Sequence, residues 1–283
     1  MGHGGRLAAR LLLPRGLRDP VTLRAAVSGR TVLITGASYG VGAATAELFG
    51  AAGARILLLA RTADRLDEVG AAVEAAGGTA YPYRVDLSNL DAVGETSARI
   101  RAEHRVDVVV SNAGKSIHRS VHDSYDRFHD VTRTIEVNYL GPVRLLLDLI
   151  PGMRERGGHL VNVSSAGVRL PPAPGWAAYE ASKAAFDKWF RSIAHELPAD
   201  HITATTVYLP LVNNRMSAPT AATRRMPGLS NAQAAGLLAR AVVTRPRTIS
   251  PWWLPAGETV SSAARGPIER AMTRMMAAPP GRH

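Results

Sequence analysis

The chain of 283 residues contains no cysteine. Disulfide staples, thiolate catalysis and cysteine-ligated metals are therefore excluded. The absence is compatible with a reducing cytoplasm, which is the expected location. Lysine is nearly missing as well: only Lys115, Lys183 and Lys188 stand among 34 basic residues. A codon bias toward arginine accounts for the scarcity, and it makes a lysine in a suggestive position harder to dismiss as abundance. No apolar run approaches the roughly 18 residues needed to span a bilayer. The first residues, with Arg6 and Arg10 around Leu7, Ala8 and Ala9, lack a long apolar core and an evident cleavage site, so no secretory signal is expected.

What is present suits one large α/β domain or two small ones, with 46% hydrophobic and 20% charged residues. The net charge of +11 raises the question of nucleic acid. Its location argues against that partner. Residues 1–30 hold six Arg against one acid, and residues 216–283 hold nine Arg against two acids. The body between them holds 19 basic and 20 acidic residues. A nucleic-acid groove would more often be lined by the body. The basic ends leave peripheral contact with an anionic membrane as one reading of residues 1–30, and a helix packed on the domain's own surface as the favoured one. Trp252, Trp253, Leu254, Met272, Met275 and Met276 read equally as packing, on the core or a dimer partner, or as a lipid-facing or acyl-contacting surface.

Taken in order, the body alternates short apolar runs with helical stretches. Thr31–Thr35 reads as a strand. It leads into the glycine-rich Gly36-Ala37-Ser38-Tyr39-Gly40-Val41-Gly42 and then a helix over 43–52. Strand, glycine turn and helix form the first unit of a dinucleotide-binding fold, because glycines allow close backbone approach and a helix N-terminus offers N–H groups to a pyrophosphate. A second buried strand, 55–60, ends at Arg61, where an acid would suit a ribose 2′-hydroxyl and a guanidinium suits a 2′-phosphate. NADP(H) is therefore the expected cofactor, against the plainer reading of a solvated arginine. Further units follow: a helix over 63–76, a strand over 79–85 reaching Asp86 and Leu87, a helix over 89–104, and a strand over 106–110 ending in Ser111, Asn112, Ala113 and Gly114. Asp86 suits an adenine amino group or a helix N-cap.

His118, His122 and His129 lack tight ligand spacing, so no metal is expected. A long helix is expected over 125–150, disturbed near Asn138 because Pro142 deprives the Asn138 carbonyl of its donor. A strand over 158–165 ends in Ser164 and Ser165. The Pro-rich loop 166–175 leads to a helix bearing Tyr179 and Lys183. Strand six covers 201–209, a covering loop 210–230, a helix 231–243 and a last strand 247–250. The succession predicts a Rossmann-like, doubly wound parallel sheet in a single domain, over 30–250, between a basic leader at 1–29 and a basic tail at 251–283.

Tyr179 and Lys183 are four positions apart, which on a helix puts both on one face. A neighbouring ammonium is expected to lower a phenol's pKa of about 10, making a proton donor of it. By itself the pair reads as well as a half-buried tyrosine beside a solvated lysine.

Together, Thr35-Gly36-x-x-x-Gly40-x-Gly42, Asp86, Asn112-Ala113-Gly114, Asn138, Ser165 and Tyr179-x-x-x-Lys183 resemble the short-chain dehydrogenase/reductase family, across roughly residues 30–215. The segments 115–133, 164–168 and 209–220 look like actinobacterial members grouped with long-chain acyl-CoA reductases. The resemblance implies a catalytic set of Asn138, Ser165, Tyr179 and Lys183. It implies nucleotide contacts from Gly36, Ser38, Tyr39, Gly40, Val41, Gly42, Arg61, Asp86, Leu87, Asn112, Ala113, Gly114, Tyr179, Lys183, Pro210, Val212 and Asn214. It also implies a homodimer or homotetramer and a small hydrophobic carbonyl or alcohol substrate, long-chain acyl-CoA or fatty aldehyde being favoured. A ketone or secondary-alcohol oxidoreductase, and a non-catalytic NADP-binding scaffold or membrane adaptor, are the alternatives. Several positions depart from the family pattern. Ser165 to Tyr179 is one residue longer than usual, leaving Ser164 as a second candidate. Ser111 and Leu211 replace an Asn and a Gly, and Asn214 stands where a Thr would meet the nicotinamide. Tyr39 replaces a small or basic residue, leaving Arg61 to carry most of the NADP preference.

Overall fold

A computed structural model describes residues 12–218 and 226–277. The first 11 residues of the basic leader, part of the covering loop and the last six residues lie outside them. The chain first forms α1 (Pro20–Val27), capped by Asp19, whose carboxylate accepts from the N–H of Val21 and Thr22. Leu23 and Val27 of this helix belong to the hydrophobic core, and the Leu17 N–H donates to Gly236 O at 2.8 Å. This part of the leader therefore packs on the domain.

Seven parallel strands follow, β1 (Thr31–Thr35), β2 (Arg55–Ala60), β3 (Thr79–Arg84), β4 (Val108–Ser111), β5 (Gly158–Ser165), β6 (Ile202–Leu209) and β7 (Thr248–Ile249), arranged in the order β3-β2-β1-β4-β5-β6-β7. Between them lie α2 (Gly40–Ala51), α3 (Ala63–Ala75), α4 (Leu90–Glu103), α5 (Phe128–Ile135), α6 (Gly141–Met153), α7 (Ala177–Ile193) and α8 (Asn231–Thr244), with α9 (Leu254–Ala263) and α10 (Arg265–Ala277) at the end. The strands are apolar on both faces because helices cover both. Val32, Ile34, Ile56, Leu58, Val108 and Val110 meet α1, α2, α3 and α8. The alternate residues Leu33, Leu57, Leu59 and Val109 meet α4, α6 and α7. The strand order reverses between β1 and β4, which opens a crevice at their carboxyl ends.

Two elements differ from expectation in ways that shape the site. Helix α2 begins at Gly40 and not at residue 43, with Tyr39 at its N-cap and no side-chain cap. Its first N–H groups are thus left to the crevice. The helix expected over 125–150 begins at Phe128 and runs to Met153, interrupted by a π-helical turn at Glu136–Leu140. There the Gly141 N–H reaches back five residues to Glu136 O. Pro142 has no N–H to offer Asn138, and the wider turn absorbs the lost hydrogen bond.

Candidate active site

The carboxyl ends of β1, β4, β5 and β6 surround a cleft of about 840 Å³. One wall is the glycine-rich turn. Gly36 has φ +67°, in the left-handed region that favours glycine. A Cβ at Gly42 would collide with the Gly36 carbonyl oxygen and with the Asn112 amide. Thr35 braces the turn from below: its Oγ1 accepts from Asn112 N at 3.0 Å and Ala113 N at 2.9 Å. Asn112 returns its Nδ2 to Thr35 O at 3.0 Å. The Asn112 side chain thus joins β1 to β4, and the residue also lines the cleft. Packed glycines beside an uncapped 12-residue helix suit a pyrophosphate, which needs close backbone and free N–H groups.

Arg61 and Asp86 leave adjacent strands β2 and β3 and meet at 3.6 Å. Asp86 also accepts from Ser88 N at 3.0 Å and Ser88 Oγ at 2.8 Å. Partial burial pushes its carboxyl up, but the two Ser88 bonds and the charges of Arg61 and Arg133 outweigh that and leave it below the ordinary value. The N-cap of α4 is Asn89 and not Asp86. Ser38, Tyr39, Gly40, Val41, Leu87, Ala113, Gly114, Pro210, Val212 and Asn214 all line the cleft. Asn214 spends Oδ1 on the N–H of Met216 and Ser217, while its amide nitrogen faces Gly40.

The opposite wall carries the tyrosine. Ser165 ends β5, its Oγ accepting from Gly167 N at 3.2 Å, and it hydrogen-bonds the half-buried Tyr179. Ser164 also lines the cleft, but its Oγ is buried without a partner. Ser165 is the serine joined to the tyrosine, and the loop that follows it begins with a 3-10 turn at Ala166–Arg169. Lys183 is buried and donates from Nζ to Val163 O at 3.1 Å, against Gly114. Its pKa falls to about 8, because burial disfavours the ammonium and Asp187 only partly compensates.

The expected depression of the Tyr179 pKa by Lys183 is not what this arrangement produces. Burial raises the phenol, Ser165 pulls it down and the Glu180 charge raises it again. The same burial that raises the phenol also makes the lysine give up its proton more easily. Asn138 is buried beside this pair of residues. Its Oδ1 accepts from Lys115 N at 2.7 Å, and its Nδ2 donates to Lys115 O and to Ser182 Oγ, each at 2.9 Å. The Ser182 hydroxyl continues to Tyr179 O at 2.7 Å. The Asn138 side chain thus ties the chain after β4 to the helix of the tyrosine.

Several lining residues escaped sequence reasoning. Trp176 packs on Tyr179 with centroids 5.7 Å apart and on His118 at 4.9 Å. Glu180, its carboxyl pushed up by burial, accepts from Ala173 N at 3.0 Å and so holds the Pro-rich loop. Lys115 lines the cleft with its pKa lowered by burial and by Arg133 and Arg61. Arg215 lines it as well. Only the scarcity of lysine hinted at Lys115; the others carried no local signal. The three histidines part company: His118 goes to Trp176, His122 Nδ1 meets Tyr125 OH at 2.8 Å, and His129 lies beside Asp130. Among the described residues no group of three or more His, Asp or Glu is placed to hold a metal.

The architecture and site have known counterparts. A family model described as short chain dehydrogenase matches residues 30–225. The sequence is 45% identical over 226 residues to a fatty acyl-CoA reductase of Acinetobacter baylyi, covering 79% of this chain and 76% of that protein. It is 40% identical over 250 residues to a fatty acyl-CoA reductase of Mycobacterium tuberculosis, covering 87% and 83%. Among solved structures, a metagenomic short-chain oxidoreductase in complex with NADP shares 29% identity over 79% of this chain and 97% of that one, with a TM-score of 0.68. A short-chain dehydrogenase from Streptomyces avermitilis shares 28% over 89% and 100%, with a TM-score of 0.73.

Proposed function

The chain belongs to the short-chain dehydrogenase family, and from that premise we propose that it is an NADPH-dependent reductase of the carbonyl group in a hydrophobic, lipid-like substrate. The observation that carries this reading is the hydrogen-bonded pair of Ser165 and Tyr179 beside the buried Lys183, facing the glycine turn across one cleft. The glycine wall, the uncapped α2 and Arg61 fit a dinucleotide with a 2′-phosphate. NADPH supplies the hydride when bound. Tyr179 gives its proton to the oxygen of the reduced carbonyl. Ser165 donates a hydrogen bond to that oxygen and holds it against Tyr179. Lys183 supplies positive charge beside Gly114. Asn138, through Lys115 and Ser182, keeps the chain after β4 and the tyrosine's helix in register.

Long-chain acyl-CoA and fatty aldehyde are the favoured substrates. The support is the activity for which the two relatives at 45% and 40% identity are named, together with the apolar lining of Leu211, Val212, Met216 and Trp176. Aldehyde or ketone reduction consumes one NADPH and a proton to give an alcohol. Thioester reduction also releases the CoA thiol, giving the aldehyde. NADPH oxidation against acyl-CoAs, aldehydes and cyclic ketones, with products identified by mass spectrometry, tests the reading. Turnover confined to cyclic ketones would move the substrate class; no NADPH oxidation with any of them would favour a cofactor-binding scaffold.

Two further features belong to this reading. A homo-oligomer is supported by apolar side chains left exposed along α5, the π-helical turn and α6, namely Phe128, Val131, Leu140 and Leu147. Light scattering of the full chain measures it. Peripheral contact with an anionic membrane is supported by α10, which buries no residue and exposes Met275 and Met276 beside Arg270 and Arg274. Co-sedimentation with phosphatidylglycerol vesicles, lost at high salt, tests it. No helix among the described residues is long and apolar enough to cross a membrane.

A further inference from the structure

The adenosine end of the cleft holds more positive charge than Arg61 alone. Arg61 is partly committed, since it faces Asp86 at 3.6 Å. Next to it the ring of Tyr39 carries two guanidiniums, those of Arg65 and Arg215, each 4.8 Å from the ring centroid. The two come from different places. Arg65 is in the first turn of α3, just beyond β2, and Arg215 is in the segment after β6, where it lines the cleft. Arg65 is paired with Glu68, and its buried Nε has no partner. Tyr39, Arg61, Thr62 and Arg215 line the cleft together.

Two guanidiniums each 4.8 Å from one neutral ring bring like charges within about 10 Å of each other. The attraction of each for the ring is worth about 0.5–1 kcal/mol at an exposed site, while the like charges oppose one another. Three arginines gather here against Asp86 and Glu68, each of which already faces one of them. A dianion placed beside the ring would relieve that repulsion and accept from planar forks of N–H donors.

We propose that Arg65 and Arg215, carried on the Tyr39 ring, complete with Arg61 a seat for the phosphomonoester on the 2′ position of the adenosine ribose. The proposal rests on the NADP(H) reading and deepens it. Tyr39 does not leave the glycine turn without cationic help; it recruits that help from two distant parts of the chain. Because Arg65 follows β2 and Arg215 follows β6, the phosphate is gripped from two parts of the chain far apart in sequence.

Calorimetric titration of the full chain with NADPH, NADH, adenosine 2′,5′-bisphosphate and adenosine 5′-monophosphate tests it. Arg65→Gln and Arg215→Gln should each weaken NADPH and the bisphosphate by about tenfold, the scale of one charge-assisted hydrogen bond. The double variant should lose more. NADH and the monophosphate should change by less than about twofold. Arg215→Lys keeps the charge and should retain part of the affinity. Equal losses for NADPH and NADH would show that the arginines only brace the turn, and would overturn the proposal. An unchanged ratio of NADPH to NADH affinity in the double variant would do the same. If the unaltered chain binds neither nucleotide, it is the cofactor reading that falls, a result plainly different from an unaltered ratio in the variants.

Discussion

The glycine-rich turn after β1 and the loop from Ser165 to Trp176 face each other across one cleft, and they are held by different means. The turn is held by backbone. Gly36 takes a positive φ, Gly42 leaves no room for a Cβ, and Thr35 and Asn112 exchange hydrogen bonds with main-chain groups of the two central strands. The loop is held by side chains. Glu180 accepts from Ala173, Trp176 wedges between His118 and Tyr179, and Arg169 reaches Glu258 of α9. A wall made of backbone tolerates little change at its glycines and recognises what every dinucleotide shares. A wall made of side chains can be altered residue by residue, which suits the part that must fit one substrate.

That contrast can be broken most sharply at the tyrosine. Tyr179→Phe removes the proton donor and nothing from the glycine wall. Turnover should fall by about 10²–10⁴-fold or more, while the NADPH dissociation constant from fluorescence titration stays nearly unchanged. Retained turnover would remove Tyr179 from the chemistry. Next comes Gly42→Ala on the backbone wall. The added methyl meets the Gly36 carbonyl oxygen, so a destabilisation of about 1–3 kcal/mol should accompany loss of nucleotide affinity, read by thermal melting with and without NADPH. A smaller effect is expected from the side-chain wall. Glu180→Ala frees the Ala173 N–H and loosens the loop, raising KM for the carbonyl substrate about fivefold with kcat little changed. Glu180→Gln keeps an acceptor and should restore most of it.

The smallest effect on activity, but a clear one on stability, lies at the far end of β5. His159 is buried, with Nε2 2.9 Å from Thr205 Oγ1 and Nδ1 without a partner. Burial, and secondarily the Arg245 charge, lowers its pKa from 6.5 to about 3. Between those values the unfolded chain binds a proton that the folded chain refuses. Stability from this group is therefore whole above pH 6.5 and declines as pH falls toward 3. His159→Gln should flatten the melting temperature over that range. An unaltered acid slope would show that His159 does not carry it.

Much of this architecture could be read from residues alone. The strands at 31–35, 55–60 and 158–165 occur where the apolar runs put them, because strands covered on both faces advertise themselves as continuous Val, Leu and Ile. The site was legible where it depends on order along the chain: Gly36 to Gly42, Ser165, Tyr179 and Lys183 reach one cleft. It was not legible where a side chain chooses among distant partners. Nothing local to Asn138 announced that its side chain would bind Lys115 and Ser182. Tyr179 looked like a phenol depressed by its lysine, yet burial governs it.

The sequence by itself determined the parallel α/β order, the glycine turn and the tyrosine–lysine spacing, because each rests on local periodicity or on a residue type that only one backbone geometry requires. Tertiary structure alone decided the rest. It chose Ser165 over Ser164 as the tyrosine's partner, opened the π-helical turn around Asn138, and brought Arg65 and Arg215 onto Tyr39. Those outcomes depend on desolvation and on contacts between residues far apart in the chain, and neither quantity is written in any local stretch of it.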